Sequence, residues 1–260
     1  MTYNTLKIDN QDNIVIITLN RPKYLNAINS EMMEELMQLF TVDLAENSNI
    51  SGVIITGEGD RAFVAGADIS EFLDFKKETI EGFLRRGHDT FNAIENFPKP
   101  VIAAIHGFAL GGGCELCMAC HLRVATSQSK FGQPEVNLGI IPGYGGTQRL
   151  VQLIGKSKGL ELLLTGEMID AANALKMGLI NYLVDPGTEI DRATELIKII
   201  STKGPLAIAK IIATVNAQFD QNKNGYEEEI NAFAQLVSTR DFSEGATAFL
   251  EKRKAIFTGE

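Results

Sequence analysis

The chain has 260 residues, of which 45% are hydrophobic and 22% are charged, and this composition is typical of one large globular domain or of one domain with an appendage. Its net charge of −9 argues against general nucleic-acid binding, which depends on neutralising phosphates. The chain has no run of about 18 apolar residues and no signal-peptide pattern at its start, so we expect a cytoplasmic protein with reduced thiols and no membrane span.

Apolar runs alternate with helical patterns through the first part of the chain. Strands are predicted at residues 13–20, 51–59, 99–110 and 122–126, because these segments are β-branched or continuously apolar and end in turn residues. A helix is predicted to begin at Ser30, where the apolar positions recur at helical spacing. Apolar strands between helices indicate an α/β fold whose sheet is buried on both faces.

Two segments depart from this alternation. Residues 71–94 are amphipathic and highly charged, and they predict a helix that could act as a mobile lid. After residue 201 the strand pattern vanishes and three helical segments follow. We therefore expect a core over residues 1–200 and a helical C-terminal region over residues 201–260.

The segment GGGCELCMACH holds every cysteine of the chain: Cys114, Cys117 and Cys120, with His121 directly behind them. An iron–sulfur cluster usually needs a fourth cysteine, whereas a zinc ion could be held by three cysteines and a histidine. On a helix, however, steps of about 100° place Cys114 and Cys120 about 120° apart, so four ligands do not converge easily. We expect the cysteines to pack as small hydrophobes and expect no metal.

Glu115 lies in the same segment, after an apolar strand and three glycines, in the first turn of an apolar helix. A helix start offers free N–H groups and a positive dipole end, which suit an oxyanion, although a lone glutamate there can also simply complement the dipole. A second carboxylate, Glu135, precedes a Gly/Pro-rich turn and another helix start at residues 145–147. The small-residue loop in residues 61–72 also enters a helix. Together the three loops can supply amide donors and acids.

These segments, together with NRPKYLNAIN at residues 20–29, resemble the enoyl-CoA hydratase (crotonase) family from end to end, and most closely its short-chain bacterial members. The resemblance implies a spiral of ββα units that forms two sheets, with a helical C-terminal region that builds trimers, often paired into hexamers. It implies reversible syn addition of water to a trans-2-enoyl thioester of coenzyme A, giving the 3-hydroxyacyl thioester in fatty acid metabolism. The coenzyme A thioester is the substrate, and no other cofactor is expected.

By motif position, the family resemblance also assigns roles to individual residues. Glu115 and Glu135 would hold the water, with Glu115 acting mainly on the water as base and Glu135 exchanging the C2 proton. The backbone N–H groups of Ala67 and Gly112 would form the oxyanion hole, and the N–H of Gly143 would be a third contact to the water.

The same resemblance places coenzyme A along one edge of the site. Lys23 and a neighbouring subunit's Lys252 would meet the phosphates, although either lysine can equally be a solvated surface charge. Phe249 either helps close a neighbour's site or is an ordinary helix-packing residue. The residues expected to bind coenzyme A are Lys23, Leu25, Ala27, Ala65, Ala67, Asp68, Ile69 and Lys252.

Two other functions stay open at this stage. An isomerase that interconverts 3-enoyl-CoA and 2-enoyl-CoA uses the same fold, but the presence of both Glu115 and Glu135 favours a hydratase. A scaffold or RNA-binding relative would have no use for two acids beside an oxyanion hole. His106 stands where asparagine is frequent in relatives, and a core position is expected for it. Acyl chain length, pathway, and trimer against hexamer are not given by the sequence.

Overall fold

A computed structural model describes residues 3–45, 47, 49–73 and 76–260. Its larger sheet has six strands in the order β1-β2-β3-β5-β7-β10, with β1 antiparallel to β2 and the other neighbours parallel. The smaller sheet has the order β4-β6-β8-β9, with only β8 and β9 antiparallel among the described pairs. The strands are β1 Leu6–Gln11, β2 Ile14–Leu19, β3 Gly52–Gly57, β4 Ala62–Val64, β5 Val101–Ile105, β6 Phe108–Leu110, β7 Leu122–Thr126, β8 Lys130–Gly132, β9 Ile169–Asp170 and β10 Tyr182–Val184.

Both faces of the larger sheet are covered, which explains why its inner strands carry apolar side chains on both faces. Along a strand, successive side chains point to opposite faces. Ile17 and Ile55 therefore belong to the main core, whereas Ile16 and Ile54 belong to a second cluster on the other face. The parallel register of β2 and β3 pairs Ile16 with Ile54 and Ile17 with Ile55, so the two clusters stay separate along the sheet.

The ten helices of the described residues surround these sheets. They are α1 Ser30–Gln38, α2 Lys77–Glu95, α3 Gly112–Ala119, α4 Gly146–Ile154, α5 Lys156–Thr165, α6 Ala171–Met177, α7 Glu189–Ile200, α8 Pro205–Ala217, α9 Gly225–Val237 and α10 Arg240–Leu250. Helix α7 supplies Ala193, Leu196 and Ile197 to the second cluster. No helix within the described residues is long and apolar enough to cross a membrane.

The predicted strand over residues 99–110 is wrong in one respect, because the segment forms two strands in different sheets. β5 ends at Ile105 and β6 begins at Phe108, and the chain turns at Gly107, whose φ is +57°. A Cβ on Gly107 would lie 2.0 Å from the carbonyl oxygen of Arg61, so only glycine fits this crossing point. His106 precedes the turn, half-buried, with its Nδ1 3.7 Å from Glu189 Oε1.

The predicted helix over residues 71–94 begins later than expected. Residues Ile69–Phe72 form a short 3-10 helix, and α2 starts at Lys77, while residues 74 and 75 of the prediction lie outside the described residues. The Glu71 carboxylate accepts hydrogen bonds from the N–H and hydroxyl of Ser30, at 2.9 Å each, so it fastens this loop to the start of α1. Whether the segment moves as a lid stays a prediction.

The C-terminal helices α8 to α10 confirm the helical tail predicted after residue 201. Large apolar side chains stand exposed along them, including Ile211, Ile230, Phe233 and Phe249. Phe249 is 83% exposed in the single chain, so it does not pack against the described residues of its own subunit. Whether it packs against a neighbouring subunit or closes that subunit's site stays a prediction.

We predict that Gly113→Ala strongly destabilises the protein, whereas Gly82→Ala does not. A Cβ on Gly113 would lie 2.2 Å from the carbonyl oxygen of Val64, where α3 packs on β4, and such overpacking costs about 3 kcal/mol. Gly82 lies in α2 with its nearest neighbour atom 4.0 Å from a built Cβ, so alanine there should stabilise by about 0.5–1 kcal/mol. Urea denaturation of both variants measures the difference, and equal stabilities would contradict this packing.

Candidate active site

Three parallel strands of the smaller sheet bring the candidate site together. β4, β6 and β8 end at Val64, Leu110 and Gly132, and the carboxyl ends of parallel strands meet at one edge of a sheet. The loops that follow these strands border a cavity of about 730 Å³. Its walls are formed by Ala65, Gly66, Ala67, Ile69, Phe72, Ile80, Leu84, His88, Gly111, Gly112, Glu115, Pro134, Glu135, Leu138, Gly139, Ile140, Ile141, Pro142, Gly143 and Tyr144.

Glu115 is the most enclosed acid in this cavity, with 1% of its surface exposed. Its Oε1 accepts hydrogen bonds from the backbone N–H of Tyr144 (2.8 Å) and from that of Gly146 (2.7 Å). Its Oε2 makes no hydrogen bond within the described residues, so this oxygen is free to face a reactant. The carboxylate is therefore fixed through one oxygen and open at the other.

The turn before α4 explains how two amides reach the same oxygen. Gly145 adopts φ +103°, which brings the N–H of Gly146 at the helix start to the side of Tyr144 N–H. A Cβ on Gly146 would lie 3.0 Å from Glu115 Oε1, so a glycine also leaves room for the carboxylate. Gly145 and Gly146 therefore shape the binding of the Glu115 carboxylate as well as the turn itself.

Glu135 stands half-buried on the short 3-10 helix Pro134–Leu138, against the glycine turn that starts α3. A Cβ on Gly111 would lie 2.7 Å from Glu135 Oε1, and Gly111 itself has φ +50°, so glycine is required twice at this position. The buried Gln133 side chain, with its amide oriented to donate, reaches Oε1 and Oε2 of Glu135 at 3.2 and 3.1 Å. Gln133 thereby orients the second carboxylate.

The surroundings of the two acids favour their protonated forms. Burial, and next the charge of Glu135, raises the pKa of Glu115 from 4.5 to about 7, although the N–H groups of Gly146 and Tyr144 and the charge of Arg149 act in the opposite direction. Burial also raises the pKa of Glu135. Because the charge of Glu135 contributes to the raised pKa of Glu115, proton binding at the two acids is linked, which suits proton transfer in both directions.

Two backbone amides of the cavity lining, those of Ala67 and Gly112, lie close to each other. A Cβ built on Gly112 would be 3.5 Å from Ala67 N, so the two loops approach closely there. Both neighbours of Ala67 are hydrogen-bonded to Ile28. The Gly66 carbonyl accepts from Ile28 N–H (2.9 Å), and the Asp68 N–H donates to the Ile28 carbonyl (2.8 Å). Within the described residues neither Ala67 N–H nor Gly112 N–H donates to a backbone carbonyl, so both are available to a ligand oxygen.

Tyr144 closes the cavity on the side of α2. Its ring packs edge-on against Phe91, with centroids 5.5 Å apart, and fits where Gly87 of α2 has no side chain. A Cβ on Gly87 would lie 2.2 Å from the Tyr144 ring. The hydroxyl of Tyr144 is buried without a hydrogen-bond partner among the described residues.

The structure brings seven of the predicted residues to the cavity and leaves the others outside it. Ala65, Ala67, Ile69, Gly112, Glu115, Glu135 and Gly143 all line the cavity. Lys23, Leu25, Ala27, Asp68 and Lys252 do not. Leu25 nevertheless adjoins the site, since its carbonyl accepts from Ala65 N–H (3.0 Å), and the Asp68 carboxylate is engaged by Arg21 at 2.8 Å. Lys23 and Lys252 are exposed.

The three cysteines are free thiols in the core, as the packing interpretation predicted. Cys117 Sγ donates to the Cys114 carbonyl at 3.1 Å, and burial raises the pKa of Cys120 to about 12. The His121 ring faces elsewhere, because Nδ1 accepts from Val101 N–H (2.9 Å) and Nε2 lies 3.0 Å from the Glu95 carbonyl oxygen. All four side chains therefore serve the fold.

The sequence analysis gave no individual role to four side chains that shape the site, although two of them lie in segments expected to border the acyl pocket: Gln133, Arg149, His88 and Tyr144. Gln133 and the Gly145–Gly146 pair stand next to predicted residues, so their proximity was a usable signal. His88 and Arg149 approach from separate helices, and no local pattern indicates that they meet the catalytic loops.

Comparison with known proteins agrees with this architecture. The model of the family described as enoyl-CoA hydratase/isomerase matches residues 9–260. The short-chain-enoyl-CoA hydratase of Clostridium acetobutylicum is 41% identical, over 98% of this chain and 97% of that protein. The crotonyl-CoA hydratase of Syntrophomonas wolfei is also 41% identical, over 99% of both chains. The crystal structure of an enoyl-CoA hydratase from Bacillus anthracis superposes with a TM-score of 0.92 at 36% identity, and the match covers 99% of this chain and 100% of that one.

The chain belongs to the enoyl-CoA hydratase/isomerase family. This membership confirms the resemblance seen in the sequence motifs, the α/β crotonase spiral with its helical C-terminal region, and an enzyme of the enoyl-CoA hydratase type. The roles of the individual residues stay predictions.

We predict that Glu115→Gln stabilises the protein at alkaline pH. Because the folded state raises the pKa of Glu115 from 4.5 to about 7, the stability due to the protonated acid is complete below pH 4.5 and is lost as pH rises through 7. A neutral glutamine avoids this loss, so the variant should gain about 2–3 kcal/mol relative to wild type between about pH 5 and about pH 8.

Urea denaturation at both pH values measures this gain. The exposed Glu229→Gln is the matched control and should show no pH-dependent difference from wild type. A constant gap between Glu115→Gln and wild type at the two pH values would show that Glu115 is not destabilised by ionisation.

Proposed function

We propose that this chain catalyses the reversible syn addition of water to trans-2-enoyl-CoA, with Glu115 and Glu135 as its acid–base pair. The observation that carries the proposal is the geometry of Glu115: one oxygen is held by two backbone amides, the other has no hydrogen bond within the described residues, and Glu135 lines the same cavity. Such an arrangement can grip a water molecule from two sides. The 41% identity to two hydratases supports hydration as the reaction.

In this proposal the first step is attack of water on C3 of the enoyl group. Ionised Glu115 takes a proton from the water through Oε2, and the oxygen forms its bond to C3 as the C2–C3 π electrons move toward the thioester carbonyl. Burial makes Glu115 a stronger base than an exposed carboxylate, because it raises the pKa to about 7. Gly143 N–H, beside the water position, is the proposed third contact.

The second step places the C2 proton. Negative charge on the thioester oxygen is stabilised by the N–H groups of Ala67 and Gly112, which lie together and have no backbone acceptor within the described residues. Protonated Glu135 then delivers its proton to C2, and Gln133 holds that carboxyl in place. The two acids end with their proton states exchanged, and the reverse reaction restores them.

The coenzyme A moiety is proposed to leave the cavity past Ala65 and the turn at Leu25–Ala27. The contact between Leu25 carbonyl and Ala65 N–H joins these two segments into one edge. Exposed Lys23 stands next to this edge and can meet a phosphate, with Asp68 and Ile69 flanking it through their backbone. Lys252 and Phe249, which are exposed at the end of α10, are proposed to act at a neighbouring subunit's site.

Self-association as a trimer or hexamer remains part of the proposal. The exposed apolar side chains of α8 to α10 support it, since contiguous apolar surface of this kind marks interaction sites. A cytoplasmic location and a role in fatty acid metabolism likewise remain proposals.

We predict that Glu115→Gln and Glu135→Gln each lower kcat for crotonyl-CoA hydration by about 10²–10⁴, because each removes one proton-transfer group. Loss of the conjugated-thioester absorbance measures the rate, and Glu229→Gln should retain wild-type activity. Full activity in either site variant would remove that glutamate from the mechanism. A wild type that is inert on 2-enoyl-CoAs but converts 3-enoyl-CoA would favour the isomerase instead.

We predict that Lys23→Ala raises KM for crotonyl-CoA about threefold to tenfold with kcat nearly unchanged, because a remote phosphate contact contributes equally in ground and transition states. Lys7→Ala, an exposed lysine paired with Glu58 instead, is the control. The two KM values, measured at low ionic strength, decide the matter: equal values would place Lys23 among ordinary surface charges.

A further inference from the structure

We infer that Arg149, held by Glu95, is a positioning residue that sets the geometry of Glu115 through the turn between them. The inference rests on the proposed function for its kinetic consequence, but its structural basis is independent of any substrate. Arg149 lies on α4 and does not line the acyl cavity, and the sequence analysis gave its side chain no role.

The Arg149 guanidinium uses each of its nitrogens. Nε and Nη2 donate to Glu95 Oε2 at 3.1 and 2.7 Å, and Nη2 also donates to Asn92 Oδ1 at 2.8 Å. Nη1 donates to the carbonyl of Tyr144 at 2.9 Å. The Arg149 side chain is 7% exposed and that of Glu95 29%, so the pair is shielded from water on the arginine side.

Tyr144 connects this arginine to the acid. Its carbonyl accepts from Arg149, while its N–H and the N–H of Gly146 donate to Glu115 Oε1. The turn at Tyr144–Gly146 therefore accepts a hydrogen bond from the Arg149 guanidinium and donates two hydrogen bonds to the Glu115 carboxylate. Gly145 is essential to this arrangement, because a Cβ there would lie 2.4 Å from Arg149 Nη1.

The anchor of the arginine is helix α2, which also borders the acyl cavity through Ile80, Leu84 and His88. Glu95 and Asn92 are near the end of that helix. The catalytic turn is consequently fixed to the same helix that contacts the acyl chain in the proposed function. Removing Arg149 would free the turn and leave the Glu95 carboxylate without its partner.

The charge of Arg149 also acts on Glu115 directly, since it favours the ionised carboxylate. The groups that face Glu115 are Glu135, the Tyr144 hydroxyl and Arg149. Those that face Arg149 from α2 and α3 are Glu95, His88 and Cys120. Asp220 and Lys223 border the polar cavity behind it. Of these, His88 is a second titratable group beside Arg149, and its pKa is lowered by burial and then by the charge of Arg149.

The test compares kcat, KM and the pH profile of crotonyl-CoA hydration for wild type, Arg149→Gln, Arg149→Lys and Glu95→Gln. Arg149→Gln should lower kcat about 10- to 100-fold, because small misplacement of a catalytic group has effects of this size, and should change KM less than about threefold. The acid limb of kcat/KM should move to higher pH, since the ionised form of Glu115 loses a cation. Arg149→Lys should restore part of kcat and the wild-type limb.

Glu95→Gln keeps the cation but loosens its anchor, so it should lower kcat without moving the acid limb to higher pH. If Arg149→Gln does not fold, the kcat of Glu95→Gln alone tests whether the anchored arginine positions Glu115. Each profile is repeated in a His88→Gln background, so that a shift cannot come from the histidine.

The matched control is Arg123→Gln, which removes another buried arginine. Arg123 donates to the carbonyls of Leu179 and Cys120 at 2.7 Å each, and none of its hydrogen bonds within the described residues reaches the turn at Tyr144–Gly146. It should lose stability but keep the wild-type acid limb. The inference is overturned by an unchanged limb in Arg149→Gln, by an equal shift in Arg123→Gln, or by wild-type kcat in Glu95→Gln.

A substrate-free measurement separates this inference from the proposed function. The Glu115 carboxyl titration, followed by ¹³C NMR, should move to higher pH in Arg149→Gln whatever the reaction is. If wild type fails to hydrate enoyl-CoA but this shift occurs, only the proposed function fails. If wild type hydrates and no shift occurs, only the positioning role fails.

Discussion

The buried carboxylate of Glu115, held by two backbone amides, is the interaction on which the site depends. An ionised acid with 1% exposure is unfavourable unless donors compensate for the lost water, and the N–H groups of Tyr144 and Gly146 provide that compensation at 2.8 and 2.7 Å. They do so incompletely, since the pKa remains near 7. The incomplete compensation leaves an acid that can gain or lose a proton near neutrality, which an ordinary surface glutamate does not do.

Glycine makes this arrangement possible at three separate points. Gly111 makes room for Glu135, Gly145 bends the turn over Arg149, and Gly113 lets α3 approach β4 so closely that a Cβ would meet the Val64 carbonyl at 2.2 Å. At each position a neighbouring atom approaches the glycine too closely for a side chain, and the glycine stabilises its own segment less than a residue with a side chain would. The fold therefore gives up local stability so that two acids and two free amides converge on one cavity.

The sequence predicted the parts of this arrangement that are local. Buried strands follow from their apolar runs, and the start of α3 with Glu115 in its first turn follows from three glycines before an apolar helix. The break at Gly107 was missed because residues 99–110 are apolar throughout, and a strand that changes sheet leaves no change of hydrophobic pattern. The later start of α2 was missed because Glu71 has helical spacing but bonds to Ser30 instead. Long-range partners such as Arg149 and Glu95, 54 residues apart, have no local signal at all.

The central claim is that Glu115 activates the water that supplies the hydroxyl on C3, while Glu135 delivers the proton on C2. The most direct measurement is hydration of crotonyl-CoA in D₂O, with the stereochemistry of the product read by ¹H NMR. Because both carboxylates line one cavity and the proposed addition is syn, the account predicts one deuterium at C2, on the same face as the new hydroxyl. Deuterium on both faces of C2, or on the face opposite the hydroxyl, would contradict it.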